Sequence, residues 1–476
     1  MALPQDGRPG AAGTRTDAPR PRRFALGVGR VVRRAPRRPA LALALGFLVL
    51  IAVGTGLLVL PIASADGSWT HPITALFTAT SAVCVTGLVV VDTATHWSPF
   101  GQVVILGLIQ AGGFGFMTGS TLLLLLLVGR RTALSDRIVA QESAGARDLG
   151  SVRSVLRRVT VFTIVAEGIG TVVMTGAFML RYEDPAKAAW HGLFHTISAF
   201  NNAGFDLMGG FKSLSGFADD PVVFVPLGLL IVLGGLGVAI VGDVLDKRRW
   251  TRFALETKLV LVTTAVLLAG GTLALLAFEW GNPHTLGAID PVQRPLNALF
   301  ESAAFRSAGM STISIGSLTD SSLVTAIALM FIGGASGSTA GGIKVTTFAI
   351  LLFTIISTVR GRPFTEAFGR RVTNEVVFRA LSIALLAVAV VFGATLLLEV
   401  LGGRATFLSI AFEVVSAFGT VGHTTGITPT LQDPALLTLV VAMFFGRLGP
   451  LTLVLALSAR AKPVSYRPAV ETIRIG

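Results

Sequence analysis

Four segments of this 476-residue chain repeat one pattern: Ser81-Ala-Val-Cys-Val-Thr-Gly87, Ser198-Ala-Phe-Asn-Asn-Ala-Gly204, Ala303-Ala-Phe-Arg-Ser-Ala-Gly309 and Ser416-Ala-Phe-Gly-Thr-Val-Gly422. Counting back from each glycine, position −6 is Ser or Ala, −5 is always Ala, and −4 is Phe in three copies. The glycines lie 117, 105 and 113 residues apart, so the chain reads as four tandem units. Repetition at a fixed period constrains architecture before any local feature does. Four copies of one backbone turn set around an axis imply a ring of carbonyl oxygens, which suits a cation.

The units are membrane units. The chain is 52% hydrophobic and 14% charged, against about 25% charged residues in a soluble domain. Stretches without Asp, Glu, Lys or Arg include 39–65, 93–129, 221–242, 259–278, 321–343 and 380–398. Residues 159–180 hold one acid, Glu167, and 434–459 hold one base, Arg447. A spanning helix takes about 20 apolar residues, so eight spans are expected, two per unit. The expected fold is an all-α membrane protein of four tandem helix–pore-hairpin–helix repeats, with four re-entrant half-helices around a pseudo-fourfold pore. Boundaries fall at 39–129, 158–243, 258–359 and 378–459, flanked by a disordered basic arm (1–38) and a tail (460–476). The half-helices are expected at 72–83 and near 190–201, 295–306 and 407–419.

Charge placement orients the chain. Segments 1–38, 129–158, 244–258, 360–379 and 460–476 hold 31 of the 39 Lys and Arg residues, which places them and both termini on the cytoplasmic side. The net charge of +13 is therefore attributed to topology and anionic membrane lipid rather than to nucleic acid. One cysteine, Cys84, excludes an internal disulfide.

A half-helix dipping from the outer face ends near mid-membrane, where its partial negative charge favours a cation. Non-helical backbone at that depth must line a cavity or be buried in protein. The candidate oxygens belong to Val85, Thr86 and Gly87, Asn202, Ala203 and Gly204, Ser307, Ala308 and Gly309, and Thr420, Val421 and Gly422. Uncharged oxygens replacing a hydration shell suit potassium better than magnesium, which dehydrates reluctantly.

A second repeated element follows 24 to 30 residues later: Gly112-Gly-Phe-Gly115, Gly234-Gly-Leu-Gly237, Gly333-Gly-Ala-Ser336 and Gly446-Arg-Leu-Gly449. In the first two units close helix packing explains the glycines. The third continues as Gly333, Gly334, Ser336, Gly337, Ser338, Thr339, Gly341, Gly342 and Lys344, a run so rich in glycine that several kcal/mol, at about 1 kcal/mol each, oppose a helix. It is expected to be an unwound intramembrane loop. In the fourth unit Arg447 replaces a glycine; a mid-span charge is a functional candidate by default. Together, loop 333–344 and Arg447 are expected to form a gate. Arg306 is expected to brace the ring against Glu301 or Glu413.

These strings resemble the Trk/Ktr/HKT superfamily of potassium transporters, most closely the membrane subunit of bacterial Ktr-type systems. The resemblance is carried by Ala82-Val-Cys-Val-Thr-Gly-Leu-Val-Val-Val-Asp-Thr93, Phe200-Asn-Asn-Ala-Gly-Phe205, Arg306-Ser-Ala-Gly309 and Ala417-Phe-Gly-Thr-Val-Gly422. It implies a non-enzymatic K+ uptake subunit, with Na+ as a second candidate ion and no organic cofactor on this chain. It also implies a homodimer and a cytoplasmic RCK-type regulatory ring that binds ATP or ADP. His423 departs from the family pattern, and two readings stand: a pH-sensitive group at the outer mouth or a neutral, outward-facing ring. Alternating-access symport of K+ with Na+ or H+ is the alternative mechanism.

Overall fold

The computed structural model describes residues 39–129, 152–401 and 405–449. The expected basic arm, the tail and the end of the fourth unit lie outside these residues. The first unit comprises α1 (Pro39–Val59), the shorter α2 (Pro72–Val83), a single turn α3 (Thr93–His96) and α4 (Pro99–Gly129). The second comprises α5 (Val152–Met179), α6 (Pro185–Phe200) and α7 (Pro221–Lys247). The third holds α8 (Leu255–Glu279), α9 (Arg294–Ala304), α10 (Asp320–Phe331) and α11 (Val345–Val359). A hairpin follows, pairing β1 (Glu366–Ala367) with β2 (Arg370–Arg371), Glu366 opposite Arg371. The fourth unit has α12 (Asn374–Leu401), α13 (Phe407–Gly419) and α14 (Asp433–Leu448).

Among the described residues six helices are long and apolar enough to cross a membrane: α1, α4, α5, α7, α8 and α12, in whole or in part. The second long helix of the third unit is divided into α10 and α11, with 332–344 lacking helix between them. The glycine content of that stretch is the physical reason. The counterpart in the fourth unit, α14, is described only to the edge of the described segment.

Short helices sit inside and long ones outside. In α13 every residue from Phe412 to Gly419 is buried. In α2 burial is continuous from Phe77 to Val83. An apolar helix buried all round is a core helix. By contrast α12 buries one stripe, Ala380, Ala387, Thr395 and Leu398, and turns Phe378, Leu385 and Phe392 outward. That outward face needs an apolar solvent, which makes this a multi-pass membrane protein.

The sequence starts the short helices sharply. Pro72 and Pro185 open α2 and α6, where a missing N–H costs nothing. Asp184 caps α6 by accepting the Ala186 N–H at 2.9 Å, and Thr406 caps α13 through the Ser409 N–H at 3.3 Å.

Candidate functional site

Three of the four repeated strings end their helix in the same way. Position −2 adopts left-handed backbone in Val85 (φ 56°), Asn202 (φ 60°) and Thr420 (φ 47°). The −1 N–H then donates back to the −6 carbonyl: Thr86 to Ser81 at 2.7 Å, Ala203 to Ser198 at 2.7 Å and Val421 to Ser416 at 2.9 Å. A left-handed non-glycine residue costs about 1–2 kcal/mol, so surrounding bonds must hold it. The −6 serine supplies one: its Oγ accepts the glycine N–H in Gly87 (3.0 Å) and Gly422 (3.1 Å). Ser198 instead donates to the Phe205 carbonyl at 2.7 Å.

The third string is not equivalent, contrary to the expectation of four identical turns. Its −6 residue is Ala303, which has no hydroxyl to offer. The helical bonding runs on, with Ser307 and Ala308 both donating to the Ala304 carbonyl at 3.1 and 2.8 Å. Ser307 is accordingly absent from the left-handed residues, and only Gly309 (φ 63°) turns. A side-chain hydrogen bond instead joins Ser307 to Asn202 of the preceding strand.

The four glycines form a closed cycle. A Cβ placed on Gly204 would lie 2.8 Å from the Ala308 carbonyl oxygen, and one on Gly309 would lie 2.6 Å from that of Val421. On Gly87 it would strike the Ala203 carbonyl, and on Gly422 that of Thr86. Each strand thus sets its glycine against the −1 carbonyl of the next strand, and the fourth returns to the first. No room remains for any side chain.

The second glycine element packs beneath the first. A Cβ on Gly112, Gly234 or Gly446 would collide with the carbonyl of Val83, Phe200 or Phe418 respectively. Each of these carbonyls belongs to position −4 of its own unit, so the glycines let α4, α7 and α14 press onto the ends of α2, α6 and α13. Packing is not the whole account in the second unit. Gly237 (φ 74°, ψ 162°) breaks α7, and the carbonyls just before it accept from the third unit: Gly235 from Ala335 N–H at 2.9 Å and Gly234 from Thr339 N–H at 3.3 Å. Inserted partners of this kind are a recognised cause of helix breaks.

Segment 332–344 is therefore a bonded loop rather than a free one. Its two ends pair, Gly333 N–H to the Ile343 carbonyl at 2.9 Å. Gly341 abuts the Thr420 side chain so closely that a Cβ there would clash. Arg447 is 1% exposed and reaches this loop by donating to the Thr339 carbonyl, while its other terminal nitrogen lies 3.4 Å from the Gly112 carbonyl. Its guanidinium stands 4.5 Å from the Phe116 ring centroid, and the Lys344 ammonium stands 4.9 Å from the same ring. Lys344 also donates to the Ala340 carbonyl. Two cations thus share one aromatic ring by cation–π attraction.

Other expected partners change. Arg306 binds neither Glu301 nor Glu413 but donates to the Gly333 carbonyl at 3.0 Å. It therefore ties the third strand to the loop below. His423 does not face outward: it is 2% exposed and packs against Phe305 at 4.8 Å between ring centroids. Glu167 points into the bundle, accepting from Gln110 and Asn201 side chains at 3.0 and 2.9 Å. That bridge, joining α4, α5 and the end of α6, was invisible because amide–carboxylate partners carry no spacing signal.

A multi-pass helical protein with short buried helices converging on a glycine cycle has the layout of a membrane transporter, and the class follows from its relatives. The chain belongs to the TrkH family, described as cation transport protein, which matches residues 37–464. It is similar to the Ktr system potassium uptake protein B of Bacillus subtilis, 39% identical over 89% of this chain and 94% of that protein. It is also similar to the potassium/sodium uptake protein NtpJ of Enterococcus hirae, 38% identical over 92% and 97% of the two chains. The solved structure of the potassium transporter TrkH from Vibrio parahaemolyticus shares the fold, with TM-score 0.68 and 20% identity over 90% of this chain and 86% of that one.

Proposed function

We propose that this chain is the ion-translocating membrane subunit of a potassium uptake system. K+ passes a constriction lined by backbone carbonyls of the strands ending at Gly87, Gly204, Gly309 and Gly422, driven by the membrane potential. The observation that carries this reading is the closed cycle in which each glycine meets the next strand's −1 carbonyl. Neutral oxygens at the C-terminal ends of four half-helices provide a field for a monovalent cation without a fixed negative charge. The names of the two relatives, one a potassium and the other a potassium/sodium uptake protein, support K+ with Na+ as a second ion.

Loop 333–344 with Arg447 acts as the gate: a fixed positive charge and a bonded segment stand directly below the cycle. The basic segments face the cytoplasm, where a homodimer docks on a nucleotide-binding regulatory ring. The Ktr system naming of one relative supports that partnership.

The test is rescue of a potassium-uptake-deficient cell at low external K+, with Gly→Ser at each of the four positions. Rescue by the unaltered chain and loss of K+/Na+ discrimination in the variants support the pore. Obligatory stoichiometric coupling of K+ to Na+ or H+ in proteoliposomes would establish symport instead.

A further inference from the structure

In three of the four units the strand leaving the glycine is held by a second set of bonds that the repeats provide from chemically different side chains. In the fourth unit Glu413 Oε1 accepts the Thr425 N–H at 2.9 Å and the Thr424 hydroxyl at 2.5 Å, while Oε2 accepts the Thr428 hydroxyl at 2.7 Å. In the third, Glu301 Oε1 accepts the Thr312 N–H at 2.6 Å and the hydroxyls of Ser311 and Thr312, both at 3.0 Å. In the second, His195 Nε2 accepts the Leu207 N–H at 3.2 Å. Its Nδ1 lies 2.7 Å from the His191 carbonyl and donates to it, which leaves Nε2 as the acceptor.

Leu207, Thr312 and Thr425 occupy one register, three residues past their glycines. Each acceptor comes from the short helix, nine residues before the glycine for His195 and Glu413 and eight for Glu301. All three are fully buried. In the first unit the equivalent position is Thr78, whose hydroxyl is buried with no bonding partner. There the outgoing strand is tied elsewhere: Asp92 caps α3 and accepts the Phe211 N–H of the second unit at 2.9 Å.

We propose that Glu413, Glu301 and His195 are positioning residues for ion discrimination, each fixing the outgoing strand so that the carbonyls below keep their spacing. The proposal rests on the reading of the glycine cycle as the ion constriction. What matters in each is reach, an acceptor atom at the +3 N–H, rather than charge. The three acceptors differ in charge type yet take the same backbone bond, which is the juxtaposition that distinguishes the two.

The experiment compares Glu413→Gln, which keeps an oxygen at the same reach, with Glu413→Asp, which keeps the carboxylate on a shorter arm. Both are purified and reconstituted, with K+ half-saturation, K+/Na+ discrimination and melting temperature read on the same preparations. Glu413→Asp is expected to raise the half-saturation concentration about tenfold, from loss of a hydrogen bond to a charged group, and to lower discrimination. Glu413→Gln should stay within about threefold of the unaltered chain, as expected for a retained neutral hydrogen bond. Any result in which Gln does not outperform Asp in half-saturation and discrimination overturns the proposal. So does a fall in melting temperature alone with both transport readouts unchanged. The Glu301 pair serves if a Glu413 variant fails to accumulate. Gly422→Ser runs alongside: unaltered discrimination there sinks the constriction itself, a failure distinct from that of the positioning residues.

Discussion

At the scale of single residues, Arg447 is where structure and chemistry converge most tightly. Its guanidinium is planar and forked, and it bridges the loop carbonyl of Thr339 and the α4 carbonyl of Gly112. A lysine cannot span two such acceptors in that geometry. Hydrogen bonds to a charged donor contribute about 1.5–3 kcal/mol each, so Arg447→Gln should weaken the loop's attachment and raise K+ flux roughly tenfold at equal protein. Arg447→Lys keeps the charge and loses the bridge, and its flux should fall between the two. The measurement is Rb+ uptake into proteoliposomes; flux in Arg447→Lys equal to the unaltered chain would show that charge alone sets the barrier. The sequence revealed Arg447 because it stands where other units have glycine. It did not reveal the partners of Arg306, because a buried arginine can bond carbonyl oxygens as readily as carboxylates, and carbonyls are everywhere. For the same reason the sequence offers Glu301 and Glu413 as partners of Arg306, although their neighbours are the hydroxyls and N–H groups of their own units.

At the scale of elements, the short helices were legible. Pro72 opens α2 and the runs are too short to cross a bilayer, although α6 begins at Pro185, ahead of the expected residue 190. The loop between α10 and α11 was also legible, since five glycines in ten residues oppose a helix. The break in α7 was not. Gly112-Gly-Phe-Gly115 stays inside α4, while Gly234-Gly-Leu-Gly237 breaks, and nothing in the two strings separates them. The difference is tertiary: peptide groups of the loop arrive at Gly234 and Gly235. Gly237→Ala forces a side chain into left-handed backbone with its Cβ 3.1 Å from the Ser338 Cα. A strained residue of this kind costs about 1–3 kcal/mol, so the expected outcome is a melting temperature several degrees lower together with altered flux. An unchanged melting temperature would mean that α7 tolerates straightening. Deleting residues 336–342 removes most of the bonded loop. It should raise K+ flux and reduce its dependence on a regulatory partner, read by uptake with and without that partner.

At the scale of the whole molecule, the repeats supply four strands but not fourfold symmetry. The third turn lacks the −6 hydroxyl and is bonded instead to Asn202 of the second unit; the first lacks the +3 acceptor, and its Asp92 instead accepts the Phe211 N–H of the second unit. Each defect is repaired from an adjacent unit, so the units are coupled around the cycle in chain order. That ordering has a measurable consequence. Gly87 meets the strand of Gly204, Gly204 that of Gly309, Gly309 that of Gly422, and Gly422 that of Gly87. In this order Gly87 and Gly309 stand opposite rather than adjacent, as do Gly204 and Gly422. Residues in contact show interaction energies of about 0.5–3 kcal/mol in double-mutant cycles, whereas residues without shared partners add. Gly→Ala pairs at adjacent positions should be strongly non-additive in K+/Na+ discrimination, because the first substitution already displaces the carbonyl that the second would meet. Opposite pairs should lie closer to additivity. Permeability ratios from the four single and six double variants decide the matter: equal coupling for adjacent and opposite pairs would mean that the strands respond as one rigid ring rather than through their neighbours.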